Sequence, residues 1–299
     1  MRPHTLPLAI AAVGIGIITG LRTCGKSSSE IVTALLIVAT AVALQILANL
    51  ANDYGDAVHG VDAKRRVGPV RIVQAGAIPP HTMRRAIQYT ALLALVLGLT
   101  ALWHALGWSR GLLFWTAVGL AAIWAAVRYT AGTNPYGYRS LGDLFVLIFF
   151  GWVAGMGSYY LLCTQVDLRF LLPSTAMGLL AVGVLNINNM RDIESDQASG
   201  KITLAVRLGI RRAYWYQVVV YSIAWLLIAL YAAMERDWIK WWLWMACMPA
   251  FGYELWKLRK DLDDPRAIAS HLKSSVMLAV LTFVVWAVAE GIKWLEDAL

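Results

Sequence analysis

Long apolar runs broken by short polar stretches set the pattern of this chain. They fall near 6–22, 31–51, 86–106, 111–129, 142–163, 170–189, 213–233, 237–256 and 274–294. Most approach the roughly 20 residues an α-helix needs to cross a bilayer. In lipid every backbone polar group must be satisfied internally, which leaves helices as the spanning form for runs of this length. The pattern therefore predicts an all-α, polytopic membrane protein of nine transmembrane helices. The first run is short, but no small-residue cleavage site closes it, so it reads as a span rather than a removable leader. No linker or low-complexity tract interrupts the series, and residues 1–299 read as one transmembrane domain.

Two inner loops, about 52–85 and 190–212, are longer than the others. Each opens on an acidic cluster at the end of an apolar run and continues into basic residues. The net charge of +8 is concentrated on that side, in Lys64, Arg65, Arg66, Arg71, Arg84, Arg85, Arg191, Lys201, Arg207, Arg211 and Arg212 among others. This is the positive-inside bias. It accounts for the charge without nucleic acid as a partner and places the N-terminus and both clusters in the cytoplasm, with the C-terminus outside. Only 15% of residues are charged and 59% are hydrophobic, against about 25% and about 45–50% in soluble domains. Membrane lipid is the expected surrounding. Cys24, Cys163 and Cys247 are isolated in the sequence, with no metal-ligand spacing, and read as bland membrane or loop cysteines.

The first cluster, "NDYGDAVHGVD", begins at position 52. If the preceding helix continues one more turn, Asn52 and Asp56 share a face by i,i+4 geometry, with Asp53 beside them and Asp62 beyond a glycine-containing loop. Acids at a helix C-terminus oppose the macrodipole, so a bland helix end would more naturally carry Lys or Arg. The second cluster, "NNMRDIESD", repeats the arrangement: Asn188 and Asp192 are four apart, as are Asp192 and Asp196. The two clusters are either solvated helix ends or a pair of hard-cation sites. Carboxylate and amide oxygens suit Mg²⁺, which is held by one or two carboxylates plus water and phosphate oxygens. Two facing clusters would bind two such ions and clamp one polyanion. Their offset of four spans is a weak parallel echo between helices 1–4 and helices 5–8.

Cations follow each cluster. "RRVGPVRIVQAG" offers Arg66, Arg71 and Gln74; Arg191 sits inside the second cluster, and "SGKITLAVRLG" offers Lys201 and Arg207. A diphosphate wants such donors, although inner-loop charge alone is the plainer reading of any one of them. A third stretch, "YTAGTNPYGYRSLGD", gathers Tyr129, Tyr136, Tyr138 and Arg139 beside Gly and Pro turns, suited to a planar acceptor or to an interfacial aromatic belt. The spans hold almost no acids at mid-depth, which counts against a pump. A cation transporter or channel with an acidic mouth remains the alternative from another class.

These motifs, with "RPHTLPLAI" at the start, resemble the UbiA superfamily of intramembrane prenyltransferases, and within it the branch that prenylates 1,4-dihydroxy-2-naphthoate for menaquinone synthesis. The likeness covers about positions 2–209. It implies helices around a central cavity capped by the two cytoplasmic loops, in a bacterial inner membrane. It implies that Asn52, Asp53, Asp56, Asp192 and Asp196 match the two Asp-rich motifs, and that Asp62 matches the last Asp of the first. Arg71, Lys201 and Arg207 match basic positions suited to diphosphate. The resulting assignment has Asn52, Asp56, Asn188, Asp192 and Asp196 on two Mg²⁺ ions. Arg66, Arg71, Gln74, Arg191, Lys201 and Arg207 fall on a polyprenyl diphosphate, and Tyr129, Tyr136 and Tyr138 on the aromatic acceptor. Asp53, Asp62 and Arg139 are the catalytic candidates. Ubiquinone-type relatives carry Tyr-x-x-x-Lys in the third motif; here Tyr129 is followed by Thr133, and Arg139 is the nearest cation. Other acceptors, 4-hydroxybenzoate or homogentisate, stay open.

Overall fold

A computed structural model describes residues 5–25, 27–58 and 78–298. Asp62, Arg66, Arg71 and Gln74 lie outside the described residues. The described chain is helical, with a single isolated bridge between Arg139 and Ile202 and no strand. The long helices are α1 (Leu6–Cys24), α2 (Ser28–Val58), α3 (Pro80–Leu106), α4 (Arg110–Arg128), α5 (Gly142–Cys163) and α6 (Leu171–Arg191). Two short helices, α7 (Ile193–Ala198) and α8 (Leu204–Leu208), precede α9 (Ile210–Met234), α10 (Trp238–Lys260) and α11 (Pro265–Ala298).

Local chemistry sets these boundaries. Pro80 opens α3, where its missing N–H costs nothing. Gly107 ends α3 at φ +53°, a conformation without penalty for glycine. Ser109 caps α4 by accepting from the Leu112 N–H at 3.2 Å, and Asp237 caps α10 by accepting from the Lys240 N–H at 2.9 Å.

Among the described residues, eight helices are long and apolar enough to cross a membrane. The ninth expected span, 237–256, is the long helix α10, whose composition falls short of that measure. It is rich in tryptophan and carries Lys240 and Glu254. Neither charge faces lipid: both are buried, paired with Glu290 and His271 of α11.

The helix α6 is the most enclosed and forms the spine against α5, α9 and α11. Small residues permit the close approach. A Cβ at Gly151 of α5 would stand 2.9 Å from the Ser174 carbonyl oxygen of α6, and one at Gly178 would stand 2.8 Å from the Leu147 oxygen. The middle of α5, Leu147–Met156, is wound as a π-helix between α-helical ends.

The helix ends opposite the acidic clusters are tied together. Glu290 of α11, 1% exposed, accepts from Lys240 at 2.7 Å and from Thr19 at 3.2 Å, and pairs with Arg22. Beside it Cys24 and Cys163 form a disulfide between the ends of α1 and α5. That corrects the reading of Cys24 and Cys163 as bland membrane or loop cysteines. The partners are 139 residues apart, and only the packing of α1 on α5 makes them neighbours. Cys247 is free and buried.

Candidate active site

The helix α2 does not stop where its apolar run stops. It continues to Val58 and carries Asn52, Asp53 and Asp56 on its last two turns. Asp53 and Asp56 are 5% and 2% exposed, so this is not a solvated helix end. Gly55 lets the chain at Thr130 lie directly on the helix; a Cβ there would be 2.5 Å from the Thr130 carbonyl. Thr130 then donates to the Ala51 carbonyl and lies 3.1 Å from Asn52 Oδ1, fixing that amide.

The second cluster sits where α6 breaks into α7. Asn188 and Arg191 occupy the last turn of α6, Asp192 is the junction, and Asp196 lies in α7. The Asp196 N–H donates to the Asp192 carbonyl at 2.8 Å, and the Asp196 carbonyl accepts from the Lys201 N–H at 2.8 Å. Arg191 is buried, donating to Asp192 Oδ1 at 2.7 Å and to Asn188 Oδ1 at 3.0 Å. Its guanidinium neutralises the second cluster from within. Arg207 is exposed at the end of α8, outside the cavity wall.

Tyr138 joins the two clusters. Its hydroxyl donates to Asp56 Oδ1 at 3.2 Å, and the Lys201 ammonium stands 5.9 Å from its ring centroid. Lys201 in turn pairs with Asp196 Oδ1 at 3.2 Å. The chain Asp56–Tyr138–Lys201–Asp196 thus crosses between segments that are far apart in sequence. The backbone holds it in register: the Ile202 N–H donates to the Tyr138 carbonyl at 3.2 Å, and Ser140 donates to the Ile202 carbonyl at 2.7 Å. Arg139 takes part through its backbone, while its side chain is exposed. Tyr129 and Tyr136 lie elsewhere, on the apolar wall below. Tyr136 donates to the Ala125 carbonyl at 2.9 Å and stacks on Phe145 with centroids 4.0 Å apart.

Below the clusters opens a cavity of about 360 Å³ among α1, α2, α3, α4, α5 and α6. Asn52, Asp56, Asn188 and Lys201 stand at its polar end, and Tyr129, Tyr136, Phe145 and Phe149 line it further in. Its polar rim also includes Thr5, Gln45 and Asn49, which the motif reading missed. Gln45 and Asn49 donate to Thr5 Oγ1 at 2.9 and 3.2 Å. A signal for them exists: Gln45, Asn49, Asn52 and Asp56 follow one another at helical spacing on a single face of α2.

Among the described residues no three His, Cys, Asp or Glu side chains converge as a complete metal shell. The oxygen set nevertheless fits a hard cation that takes its remaining ligands from water and phosphate. Asp196 Oδ2 is buried with no hydrogen-bond partner. Burial pushes the Asp196 carboxyl up to about 6; Lys201 opposes the shift, and Asp192 and Asp56 reinforce it. An orphaned carboxylate oxygen near two further carboxylates fits a role as a hard-cation ligand.

A family model, UbiA prenyltransferase family, matches residues 13–281. A 1,4-dihydroxy-2-naphthoate octaprenyltransferase from Escherichia coli (strain K12) is 41% identical over 94% of this chain and 90% of that protein. The protein of the same description from Haemophilus influenzae is 40% identical over 75% of this chain and 72% of its own length. Among solved structures, an apo UbiA homologue from Aeropyrum pernix K1 aligns with a TM-score of 0.65 at 13% identity, covering 98% of this chain and 99% of that one. A UbiA homologue from Archaeoglobus fulgidus bound to DMAPP and Mg²⁺ aligns with a TM-score of 0.62 at 16% identity, over 96% of this chain and 97% of that one. The structural matches speak for the fold.

Proposed function

The chain belongs to the UbiA prenyltransferase family, and from that premise we propose that it transfers a polyprenyl group to 1,4-dihydroxy-2-naphthoate, with loss of diphosphate and CO₂, on the way to menaquinone. The acceptor is the one named for its relatives in E. coli and H. influenzae. The observation that carries the site assignment is the meeting of the two Asx clusters through Tyr138 and Lys201 at the polar end of one apolar cavity.

The substrate's own chemistry divides the cavity. The diphosphate needs cations and donors, so it belongs at the rim with Lys201; the guanidinium groups of Arg66 and Arg71 and the amide of Gln74 are proposed as its further donors. Asn52, Asp56, Asn188, Asp192 and Asp196 would hold Mg²⁺ there, with Asp53 beside them. Bound Mg²⁺ supplies Lewis-acid stabilisation of the charge that develops on the departing oxygens. The prenyl C1–O bond breaks with its electron pair leaving on the diphosphate. Tyr129, Tyr136, Phe145 and Phe149 line the cavity, where aromatic side chains would stabilise the allylic cation and exclude the water that would quench it. The carboxyl-bearing ring carbon of the acceptor bonds to C1. The carbon–carboxylate bond then breaks, returning its electron pair to the ring as CO₂ departs. Asp62 is proposed to orient an acceptor hydroxyl.

The rim faces the cytoplasm of a bacterial inner membrane in this reading. Two independent features support that orientation. Basic residues crowd the loops around the rim, and the Cys24–Cys163 disulfide lies at the opposite helix ends, on the side where thiols stay oxidised.

The test is a panel of aromatic acceptors incubated with an eight-unit prenyl diphosphate, Mg²⁺ and membranes holding the protein. Pyrophosphate release with 1,4-dihydroxy-2-naphthoate, and not with 4-hydroxybenzoate or homogentisate, is expected. Turnover of either alternative at a comparable rate would reject the acceptor assignment.

A further inference from the structure

We propose that the buried amide pair Asn186–Gln217 is a clasp that positions the second acidic cluster, holding α6 at the one rotation that turns Asn188 toward the first cluster. The proposal rests on the metal-assisted reading above and adds two positioning residues to it. Neither lines the cavity.

Both amides stand where apolar side chains would be expected. Gln217 is 0% exposed within the apolar run of α9, and Asn186 is 1% exposed in the last two turns of α6. Asn186 Nδ2 donates to Gln217 Oε1 at 2.8 Å and to the Ala213 carbonyl at 3.0 Å. An amide group has two such hydrogens, and two oxygens of α9 take them; Met190 Sδ stands further off at 3.5 Å.

The contact closes a loop at its base. Ala213 lies in the first turn of α9, 27 positions beyond Asn186. Between them the chain runs out through Asn188, Asp192, Asp196 and Lys201 and returns. The Ala213 N–H donates to the Gly209 carbonyl at 3.0 Å, and the Gly209 N–H to the Ala205 carbonyl at 2.9 Å. Fixing the start of α9 on α6 therefore fixes α8 and the returning limb as well.

Packing brings the helices together without choosing a rotation. A Cβ on Gly183, three positions before Asn186, would stand 2.5 Å from the Tyr221 ring and 2.8 Å from Gln217 Nε2, so α9 lies directly on this face of α6. Gly178 lies as closely on α5. Apolar burial is non-directional, whereas a hydrogen bond has a required geometry. Two helical positions turn about 200°. Fastening Asn186 to α9 thus aims Asn188 the opposite way, to the polar end of the cavity where it stands.

Stability does not account for the pair. Asn186 Oδ1 is buried with no hydrogen-bond partner among the described residues, and a buried acceptor left so is destabilising. Replacing both amides by apolar side chains of similar shape would remove that penalty. What such a replacement would lose is the rotation.

The experiment uses the full-length protein in detergent, Mn²⁺ as an oxygen-seeking probe in place of Mg²⁺, and inorganic pyrophosphate as the polyanion. Free Mn²⁺ is read by electron paramagnetic resonance, and the melting of each variant is recorded. Asn186→Leu/Gln217→Met is expected to melt no lower than the wild type and to bind Mn²⁺ about tenfold or more weakly. Gln217→Met alone, which keeps the Asn186–Ala213 bond, is expected to fall between them. Unchanged Mn²⁺ affinity in the double variant would overturn the clasp. Weaker binding that comes only with a lower melting temperature would also overturn it, because a merely structural pair gives that result. Wild-type protein that binds no Mn²⁺ with pyrophosphate would reject the metal assignment and the clasp's role together. Wild-type protein that binds Mn²⁺ but transfers no prenyl group would reject the prenyl-transfer reading and leave the clasp standing.

Discussion

Tyr138 donates its phenolic hydrogen to Asp56 at 3.2 Å across 82 positions of chain, and in doing so ties the first acidic cluster to the loop that carries Lys201. The tyrosine, an acceptor candidate by its motif, stands at the joint between the clusters. A hydrogen bond to a charged group contributes about 1.5–3 kcal/mol. Tyr138→Phe is therefore expected to lower kcat/KM by roughly tenfold to a hundredfold, at 1.4 kcal/mol per factor of ten. Steady-state kinetics on membranes with equal protein content would check it, and an unchanged rate would make the joint dispensable.

The carboxylates themselves should matter more. Asp56→Ala and Asp192→Ala are each expected to abolish turnover while the protein still inserts. Asp192→Ala also strands the buried Arg191 guanidinium, so its thermal stability should drop more than that of Asp56→Ala. A radiolabelled prenyl diphosphate assay, paired with melting in detergent, separates the two effects.

The elevated Asp196 carboxyl predicts a pH dependence. Its value of about 6 in the folded, metal-free protein lies above the usual carboxylate range, so the folded state takes up this proton more readily than the unfolded chain. Metal-free protein should gain stability from this group as pH falls from 7 through 6 and on toward the unfolded value of about 4. Mg²⁺ binding needs the ionised form, so the apparent Mg²⁺ requirement should rise by up to about tenfold per pH unit below 6. Mg²⁺ titrations of activity at pH 7 and pH 5 measure this. Asp196→Asn should bind Mg²⁺ weakly at both and remove the difference.

The Cys24–Cys163 bond yields a third kind of expectation. Cys24→Ser is expected to lower stability by about 2–4 kcal/mol and to leave kcat/KM within about twofold, since the bond lies at the end remote from the clusters. In intact cells a membrane-impermeant maleimide should label the exposed Cys24 of the Cys163→Ser variant from the outside. Labelling only after the membrane is permeabilised would invert the proposed orientation.

Much of this architecture was readable because its causes are local. Each apolar run is a helix, and α2 persists through Asn52, Asp53 and Asp56, the condition under which their i,i+4 spacing puts Asn52 and Asp56 on one face. What stayed hidden depends on partners distant in sequence. Nothing near Cys24 announces Cys163. Arg191 looked like a diphosphate ligand because it is basic and central; only the bend between α6 and α7 turns it onto Asp192 and Asn188. Gln45 and Asn49 were legible as a polar stripe but sat within an apolar run. The π-winding of α5 has no signature in a segment as uniformly apolar as "LIFFGWVAGM".

The knot of Arg22, Lys240 and Glu290 has a consequence for the cell rather than for the reaction. An enzyme that hollows out the bilayer from one face thins the insulator across which the cell stores its electrical potential. Each unit charge crossing 100 mV dissipates about 2.3 kcal/mol. Here Arg22 and Lys240 both pair with the buried Glu290, and Lys240 also packs on Trp286 and Tyr231, so the charge at the far floor is held in pairs. Loosening that stopper should show first as an ion leak that de-energises the membrane, before any loss of prenyl transfer.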